Sequence, residues 1–341
     1  MKIAFLVTRL DKPSARYRVF QYLPYFEREG YAPQVRIIPK TTWGRLKLFR
    51  EMKDVDIVFL QKKLINAFEW HMLRKNARRL FYDFDDAVMF NDPQGKEQSS
   101  RRKMNAFLRT VKNADIVIAG NNYLKGLAAA KNPKTVVIPT SLDMNRYTEK
   151  LSGAVSDSIT LGWIGSSATL FYLGKMKQVL DSIYDRFPYV RLKILADDFF
   201  DCDRMPVVKK KWSYEDEIGD LHTFDIGLMP LTDDPWSRGK CGLKLLQYMA
   251  VGIPSVCSPV GVNREIVTEG VNGFLAHDDA EWVEKINILI TDPQVRLRMG
   301  KEARETVVRH YSTENSSKTM IALFNTVKRQ ASVCSSSGLK V

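Results

Sequence analysis

Short apolar runs separated by helical patterns recur along this chain, and that alternation limits the fold more than any single motif. Runs at 2–8, 35–38, 56–60 (DIVFL), 80–84, 115–119 (DIVIA) and 135–138 (TVVI) read as strands. Between them, 17–29, 44–52, 67–79, 103–112 and 123–130 carry helical patterns, while 9–18 reads as a polar loop. The strand runs are short and apolar, as strands are when both faces are covered. Alternating with helices, they imply a parallel sheet with crossover connections.

A small, polar, non-periodic stretch at 150–157 (KLSGAVSD) reads as a linker, after which the alternation restarts. Strands are expected at 159–164, 190–195, 225–229 and 255–257, with helices at 169–186, 214–221, 280–290 and 293–310 and short segments at 263–268 and 273–275. The fold class is α/β, two Rossmann-like doubly wound parallel-sheet domains in tandem, at 1–150 and 151–315. A C-terminal amphipathic helix at 316–330 is expected to pack back toward the first domain, and 331–341 to be a disordered tail. Ligands of such sheets lie outside the strand carboxyl ends, so a central cleft between the halves is the expected site.

The length of 341 residues, with 45% of them hydrophobic, suits two domain cores. No apolar run approaches the ~20 residues of a membrane span, and 1–7 reads as a first strand and not as a signal peptide. The four cysteines (Cys202, Cys241, Cys257, Cys334) are far apart, which argues against a disulfide framework or zinc site and for a reducing, cytoplasmic setting. A net charge of +13 fits anionic lipid or nucleotide phosphates. It would fit nucleic acid too, but no zinc finger, RNP-like pattern or basic heptad helix accompanies it, and nucleic acid is not an expected partner.

The stretch 236–254, WSRGKCGLKLLQYMAVGIP, concentrates chemistry. Arg238, Lys240 and Lys244 are interleaved with Gly239 and Gly242 and run into an apolar helix that Gly252 and Pro254 stop. A flexible cationic loop feeding a helix N-terminus suits an anion, because orphan N–H groups and the macrodipole face it. The same pattern also describes a solvated basic loop before a core helix.

DIGLMPL at 225–231, GKCGLKLLQYMAVGIPSV from Gly239 and SPVGVNREIVTEGVNGFLA from Ser258 resemble consecutive blocks of the donor domain of family 4 glycosyltransferases. The WIGSS turn at 163–167 fits as well, as do SARYRV at 14–19, YDFDDAV at 82–88 and VVIPTSLDMNRY at 136–147, so the resemblance spans nearly the whole chain. It implies a GT-B architecture, with a nucleotide-sugar held by the second domain and the acceptor by the first. The expected co-substrate is a UDP- or GDP-sugar, with no metal or other cofactor, and transfer with retention to a glycan or lipid-linked hydroxyl. One departure stands out: the family's usual glutamate pair falls here on Gly239 and Gln247. Gln247 retains the capacity to bond ribose hydroxyls, while Gly239 has no side chain. That departure motivates an alternative, a non-catalytic nucleotide-sugar-binding protein; a nucleotide-sugar epimerase or hydrolase of the same fold is another.

The resemblance implies the following roles. Arg238, Lys240 and Lys244 take the diphosphate and stabilise its departing charge, with an Arg238 ion pair to Asp233 or Asp234 as the other reading. Gly165, Ser166 and Ser167 form a strand-to-helix turn for phosphate, or Ser167 caps the helix. Gly261, Val262, Asn263 and Glu265 face sugar and phosphate, and Trp212–Ser213–Tyr214 the nucleobase. In the first domain Asp83, Asp85 and Asp86 end a strand. Asp85 and Asp86, with Lys240, are the catalytic candidates, orienting an acceptor hydroxyl or steadying charge at the anomeric carbon, a metal site being the other possibility. Ser14, Arg16 and Arg18 are candidates to hold an anionic acceptor, and Gln61 and Lys62 are a similar case. Basic clusters at 45–50 and 101–103 suggest peripheral attachment to an anionic membrane surface at its inner face.

Overall fold

A computed structural model describes residues 1–95, 97–150 and 158–336, with side chains described up to 328. Most of the expected linker therefore lies outside the described residues. The chain divides into two compact units, the first comprising Met1–Thr140, Arg238–Cys241 and the chain from Thr313 onward, the second Ser141–Ser237 and Gly242–Ser312.

In the first unit the order is β1 (Lys2–Val7), α1 (Pro13–Arg18), α2 (Leu23–Arg28), β2 (Ala32–Ile37), α3 (Thr42–Glu51), β3 (Ile57–Gln61), α4 (Ala67–Asn76), β4 (Leu80–Phe84), α5 (Arg101–Asn113), β5 (Ile116–Ala119), α6 (Asn122–Ala129) and β6 (Thr135–Val137). The second continues with β7 (Ile159–Ile164), α7 (Ser167–Gly174), α8 (Lys177–Arg186), β8 (Val190–Ala196), β9 (Val207–Lys211), α9 (Glu217–Leu221), β10 (Ile226–Met229), α10 (Pro235–Arg238), α11 (Leu243–Ala250), β11 (Ser255–Cys257), α12 (Asn263–Ile266), β12 (Phe274–Leu275), α13 (Asp279–Thr291) and α14 (Pro293–His310). The last helix, α15 (Thr313–Ser336), belongs to the first unit.

Both sheets have six strands, ordered β2-β1-β3-β4-β5-β6 and β12-β11-β10-β7-β8-β9, and every pairing within them is parallel. Counted from β7, the second sheet has the strand order of dinucleotide-binding folds. The direction of strand addition reverses between β1 and β3 in the first unit and between β7 and β10 in the second. Side chains alternate across each sheet. Leu60, Tyr82 and Phe84 enter the core under α4 and α5, whereas Phe59 and Phe81 enter the opposite core, which α15 closes. Phe324 of α15 stands with its ring centroid 4.6 Å from that of Phe81 and 4.8 Å from that of Phe26.

Local differences from the expected elements have local causes. The polar loop at 9–18 contains α1, which opens with Pro13 in its first turn, where a missing N–H costs nothing. Pro24 lies in the first turn of α2, so the helix expected at 17–29 is α1, a single tight turn at Phe20–Tyr22, and α2. The helix expected at 169–186 is two, parting after Gly174. The strand β9, VVKKK, went unread because its apolar residues are few. It is an edge strand paired only with β8, where lysines discourage further pairing. Residues 331–336, expected in a disordered tail, continue α15. Residues 141–150 cluster with the second unit, held there by Leu142 N–H to Tyr311 O at 2.8 Å and Tyr147 OH to Glu217 at 2.8 Å.

Candidate functional site

In the second unit, the end of β7 and the helix that follows β10 flank the point where strand order reverses, the place where such sheets bind ligands. The turn after β7 is Gly165-Ser166-Ser167, opening α7. From the first turn of α11, Lys244 reaches across to it. Its Nζ donates to Thr169 Oγ1 at 2.9 Å and lies 4.0 Å from the centroid of the Trp163 ring. A Cβ on Gly165 would stand 2.3 Å from the Trp163 ring and 2.7 Å from that ammonium, so glycine is what lets the lysine lie against the turn. Ser166 occupies the cap position without a side-chain cap bond. Ser167 is not the cap: its N–H and hydroxyl both donate to Asp197, at 2.6 and 3.1 Å. An anion arriving here meets a fixed ammonium and a helix start whose Ser167 N–H a carboxylate already holds.

The rest of the expected donor set is divided. Gly242, at φ +69°, caps α11, and a Cβ there would meet Ile266 at 2.5 Å. Gly261 is also left-handed, at φ +55°, and turns the chain from β11 into α12. Val262 is buried and Glu265 exposed. Asn263 requires correction: its side chain is fully buried and donates to Ser258 O at 3.0 Å, so it holds the loop instead of facing a sugar. Gln247 requires correction as well. At 4% exposure it donates to Tyr147 OH at 3.1 Å, and Tyr147 donates to Glu217, which also accepts from Trp212 Nε1 at 2.9 Å. The glutamine of the variant motif is thus part of a buried polar network that the sequence reading missed, because its members are scattered from 147 to 247. The same network takes Trp212, the expected nucleobase contact; Ser213 accepts from Asp216 N–H at 3.1 Å, and the Tyr214 ring carries the Arg146 guanidinium at 3.5 Å.

The first-unit cluster lies at the carboxyl ends of β3 and β4. Lys62, immediately after β3, has φ +62° and is the one non-glycine residue with positive φ among those described. Such backbone costs energy and persists where surrounding structure enforces it. Its N–H donates to Asp83 O at 2.6 Å, and its ammonium pairs with Asp86 and lies 3.4 Å from Asp85 Oδ1. Asp86 also accepts from Lys240 at 3.0 Å. Burial would raise the Asp86 carboxyl, but Lys240 and Lys62 outweigh it and hold the pKa well below the usual carboxylate range. Burial would lower Lys62, and Asp85 and Asp86 instead keep it above the ordinary lysine value.

The segment Gly239–Cys241 is fitted against this cluster. A Cβ on Gly239 would stand 2.5 Å from Ala87 Cβ and 2.8 Å from its backbone N. Asn121 Nδ2 donates to Lys240 O at 2.9 Å, and Cys241 Sγ donates to Asp85 O at 3.1 Å. A Cβ on Gly120 would meet that sulfur at 2.4 Å. Burial and Asp85 push the Cys241 thiol up, so it remains protonated. Close packing therefore explains why position 239 has no side chain. Lys240 stands in this cluster, while Lys244 stands at the β7 turn. Asp234, one of the partners considered for Arg238, is spent on capping α10, accepting from Trp236 and Ser237 N–H at 2.9 Å each.

Arg18 is a correction. Both it and Asp83 have no exposed surface; the guanidinium pairs with the Asp83 carboxylate and donates to Ile138 O at 2.6 Å. Burial alone would lower its pKa, and Asp83 holds it above the arginine value. An acceptor cannot reach it. Ser14 and Arg16, on α1, are half-buried. Among the described residues no group of acidic, histidine or cysteine side chains is arranged to hold a metal ion: Asp83 is committed to Arg18 and Asp86 to two lysines. No described helix is long and apolar enough to cross a membrane.

A model of the family described as glycosyl transferases group 1 matches residues 221–306. A D-inositol 3-phosphate glycosyltransferase of Corynebacterium efficiens is 33% identical over 86 residues, 25% of this chain and 20% of that protein. Spore coat protein SA of Bacillus subtilis is 29% identical over 81 residues, 23% of this chain and 22% of that protein. The chain thus matches only about a fifth of the length of these curated relatives. Among solved structures, Anabaena HepE in complex with UDP and glucose is similar with a TM-score of 0.71 at 16% identity, over 95% of this chain and 99% of that one. Sucrose-phosphate synthase from Thermosynechococcus elongatus gives 0.74 at 15% identity, over 96% and 99%. At such identities the likeness speaks for fold, and the fold is that of GT-B glycosyltransferase structures: two parallel six-stranded sheets with alternating helices.

Proposed function

We propose that this protein is a glycosyltransferase that moves a sugar from a nucleoside-diphosphate sugar, UDP- or GDP-linked, to a hydroxyl acceptor. The observation that carries the reading is the Lys244 ammonium seated on the Gly165 turn, at the strand-order reversal of a dinucleotide-type sheet. The family match over 221–306 and the UDP bound by HepE support it.

In this reading Lys244, the Gly165-Ser166-Ser167 turn and Arg238 take the diphosphate, with Gly261 and Val262 giving close backbone approach and Glu265 a sugar hydroxyl. Fixed cations aimed at the departing diphosphate lower the barrier as its charge grows, without a metal. Lys240, paired with Asp86, belongs in this reading to the catalytic group with Asp85 and Asp86. Asp85 and Asp86 serve the acceptor side, together with Ser14 and Arg16, and transfer proceeds with retention, the leaving diphosphate acting as base. The acceptor is a glycan or lipid-linked saccharide, and the basic segments at 45–50 and 101–103 attach the protein to an anionic membrane surface.

A donor panel tests this. UDP-, GDP-, ADP- and dTDP-sugars are screened by thermal shift, since a ligand selective for the native state raises the midpoint. Acceptor-dependent release of the nucleoside diphosphate is then followed. One nucleotide family should stabilise the protein, and Lys244→Met should abolish the shift. A protein that none of them stabilises, with or without divalent metal, would overturn the proposal.

A further inference from the structure

We infer that the second unit carries an anion site apart from the β7 turn, in a cleft along α14, and that its ligand is a phosphate ester bearing hydroxyls, of the sugar-phosphate class. The cleft has a volume of about 870 Å³ and lies where α14 packs on the end of α11 and on the chain at Glu149 and Lys150. Gly300 of α14 rests against the Gly252 carbonyl, where a Cβ would clash. All the lining residues belong to the second unit. Five are cations, Lys150, Arg298, Lys301, Arg304 and Arg309, set against the carboxylates of Glu149 and Glu305. The cations differ in what holds them. Lys150 pairs with Asp225 at 2.8 Å and Arg309 with Glu305 at 2.5 Å. Arg304 is fixed in place: its Nη1 donates to Tyr147 O at 2.8 Å and to Ala250 O, and its Nε lies 3.7 Å from Glu149, which leaves Nη2 over. Among the described residues, the Arg298 and Lys301 side chains have neither an ion pair nor a hydrogen bond. Glu305 stands one turn beyond Lys301 but goes to Arg309. Positions 298, 301 and 304 are spaced as neighbours on a helix face, so three like charges are stacked there. An anion in the cleft offsets a repulsion that the chain leaves largely uncompensated.

Size and lining decide the ligand class. A bare phosphate would occupy a small part of a cleft whose volume falls within the ~300–1,000 Å³ of organic-ligand sites. Leu297 and Val308, 54% and 45% exposed, lie on one face of α14 and offer apolar surface to a body attached to the phosphate. Glu149, exposed beside Arg304, accepts hydroxyls and repels a second negative charge. One phosphate on a hydroxylated body therefore suits the cleft better than a polyanion does. A soluble sugar phosphate and the headgroup of an inositol phospholipid both present that chemistry. The assignment stands apart from the nucleotide-sugar reading, since no residue of the proposed donor set lines the cleft.

Isothermal titration calorimetry with glucose 6-phosphate, mannose 6-phosphate, myo-inositol 1-phosphate and inorganic phosphate tests the soluble source. Sedimentation with phosphatidylcholine vesicles containing phosphatidylinositol, against vesicles containing phosphatidylserine at equal charge, tests the lipid source. At least one ester should bind more tightly than inorganic phosphate, or the phosphatidylinositol vesicles should retain the protein in preference to the others. Arg298→Gln combined with Lys301→Gln should weaken that binding ~10–100-fold, the worth of hydrogen bonds between charged groups. Both positions are exposed on a helix, so the fold tolerates the change. Lys131→Gln combined with Lys134→Gln removes the same charge from exposed positions of the first unit and should leave binding as it is. Lys244→Met reports whether a probe sits at the β7 turn instead, since binding in the cleft survives it. A soluble ester that binds identifies a free ligand, and retention on phosphatidylinositol vesicles without soluble binding identifies a headgroup. Inorganic phosphate that binds as tightly as every ester removes the ligand class. No binding in either arm, binding lost with Lys244→Met, or equal weakening by the two double substitutions overturns the site.

Discussion

Alanine at position 239 isolates the reason this chain lacks the glutamate that the family motif leads one to expect. The substitution adds one atom. In open space, Gly→Ala stabilises a protein by ~0.4–1 kcal/mol by restricting the unfolded chain. Here the new Cβ would stand 2.5 Å from Ala87 Cβ, 2.8 Å from Ala87 N and 3.1 Å from its Cα. Two of those three atoms are backbone and cannot rotate away, so the segment carrying Lys240 must shift. Overpacking of this kind costs ~1–3 kcal/mol, and for a domain of this size that lowers Tm by ~2–12 °C. The predicted sign is therefore opposite to that of an unhindered glycine. Gly239→Glu should be no better, because it carries the same Cβ, and restoring the family residue should not raise donor turnover. Ala87→Gly should rescue Gly239→Ala only in part, since it removes the 2.5 Å contact and leaves the one at 2.8 Å. Differential scanning calorimetry of the three variants decides the matter. A Gly239→Ala protein as stable as wild type, or more so, would refute the packing argument.

Other expectations follow from the same geometry. Asp83→Asn should cost ~3–5 kcal/mol in denaturant unfolding because it strands a buried guanidinium, while Arg18→Met combined with Asp83→Leu should recover most of that loss; a cheap single substitution would contradict the buried pair. Asp86 has its folded pKa depressed by Lys240 and Lys62, so its contribution is present above the unfolded value near ~4 and is lost as pH falls through the folded value. The stability difference between wild type and Asp86→Asn should therefore shrink on acidification below ~pH 4, and a difference independent of pH would be inconsistent with the ion pairs. Phe324→Ala should destabilise the first unit by ~3–5 kcal/mol, as removal of a core aromatic does; loss of under 1 kcal/mol would show that α15 is not part of that core.

Much of the architecture was legible in the sequence for a local reason. Parallel strands such as DIVFL and DIVIA are buried on both faces and so appear as short apolar runs, and helices between them are punctuated by glycine and proline. Elements lacking those marks were missed: the lysine-rich edge strand β9 and the short helix α1 inside a polar stretch. The candidate site was legible only in part. Lys244 and Gly165 stand where a cationic motif and a strand-to-helix glycine would have them. Arg18 reads in the sequence as a cation available to an anionic acceptor because its partner, Asp83, is distant in sequence, and only the sheet brings them together.

What the sequence alone determined is the repeating strand–helix alternation, two parallel sheets and the positions of the basic and glycine-rich turns, all set by burial and backbone freedom within a few residues. The tertiary structure decided which charges remain available. Arg18, Asp86 and Gln247 are each engaged by partners that fold topology supplies, and Asn263 is buried with its amide on Ser258 O. Pairing of this kind depends on which strand ends and loops meet, and the identity of a side chain does not encode its neighbour.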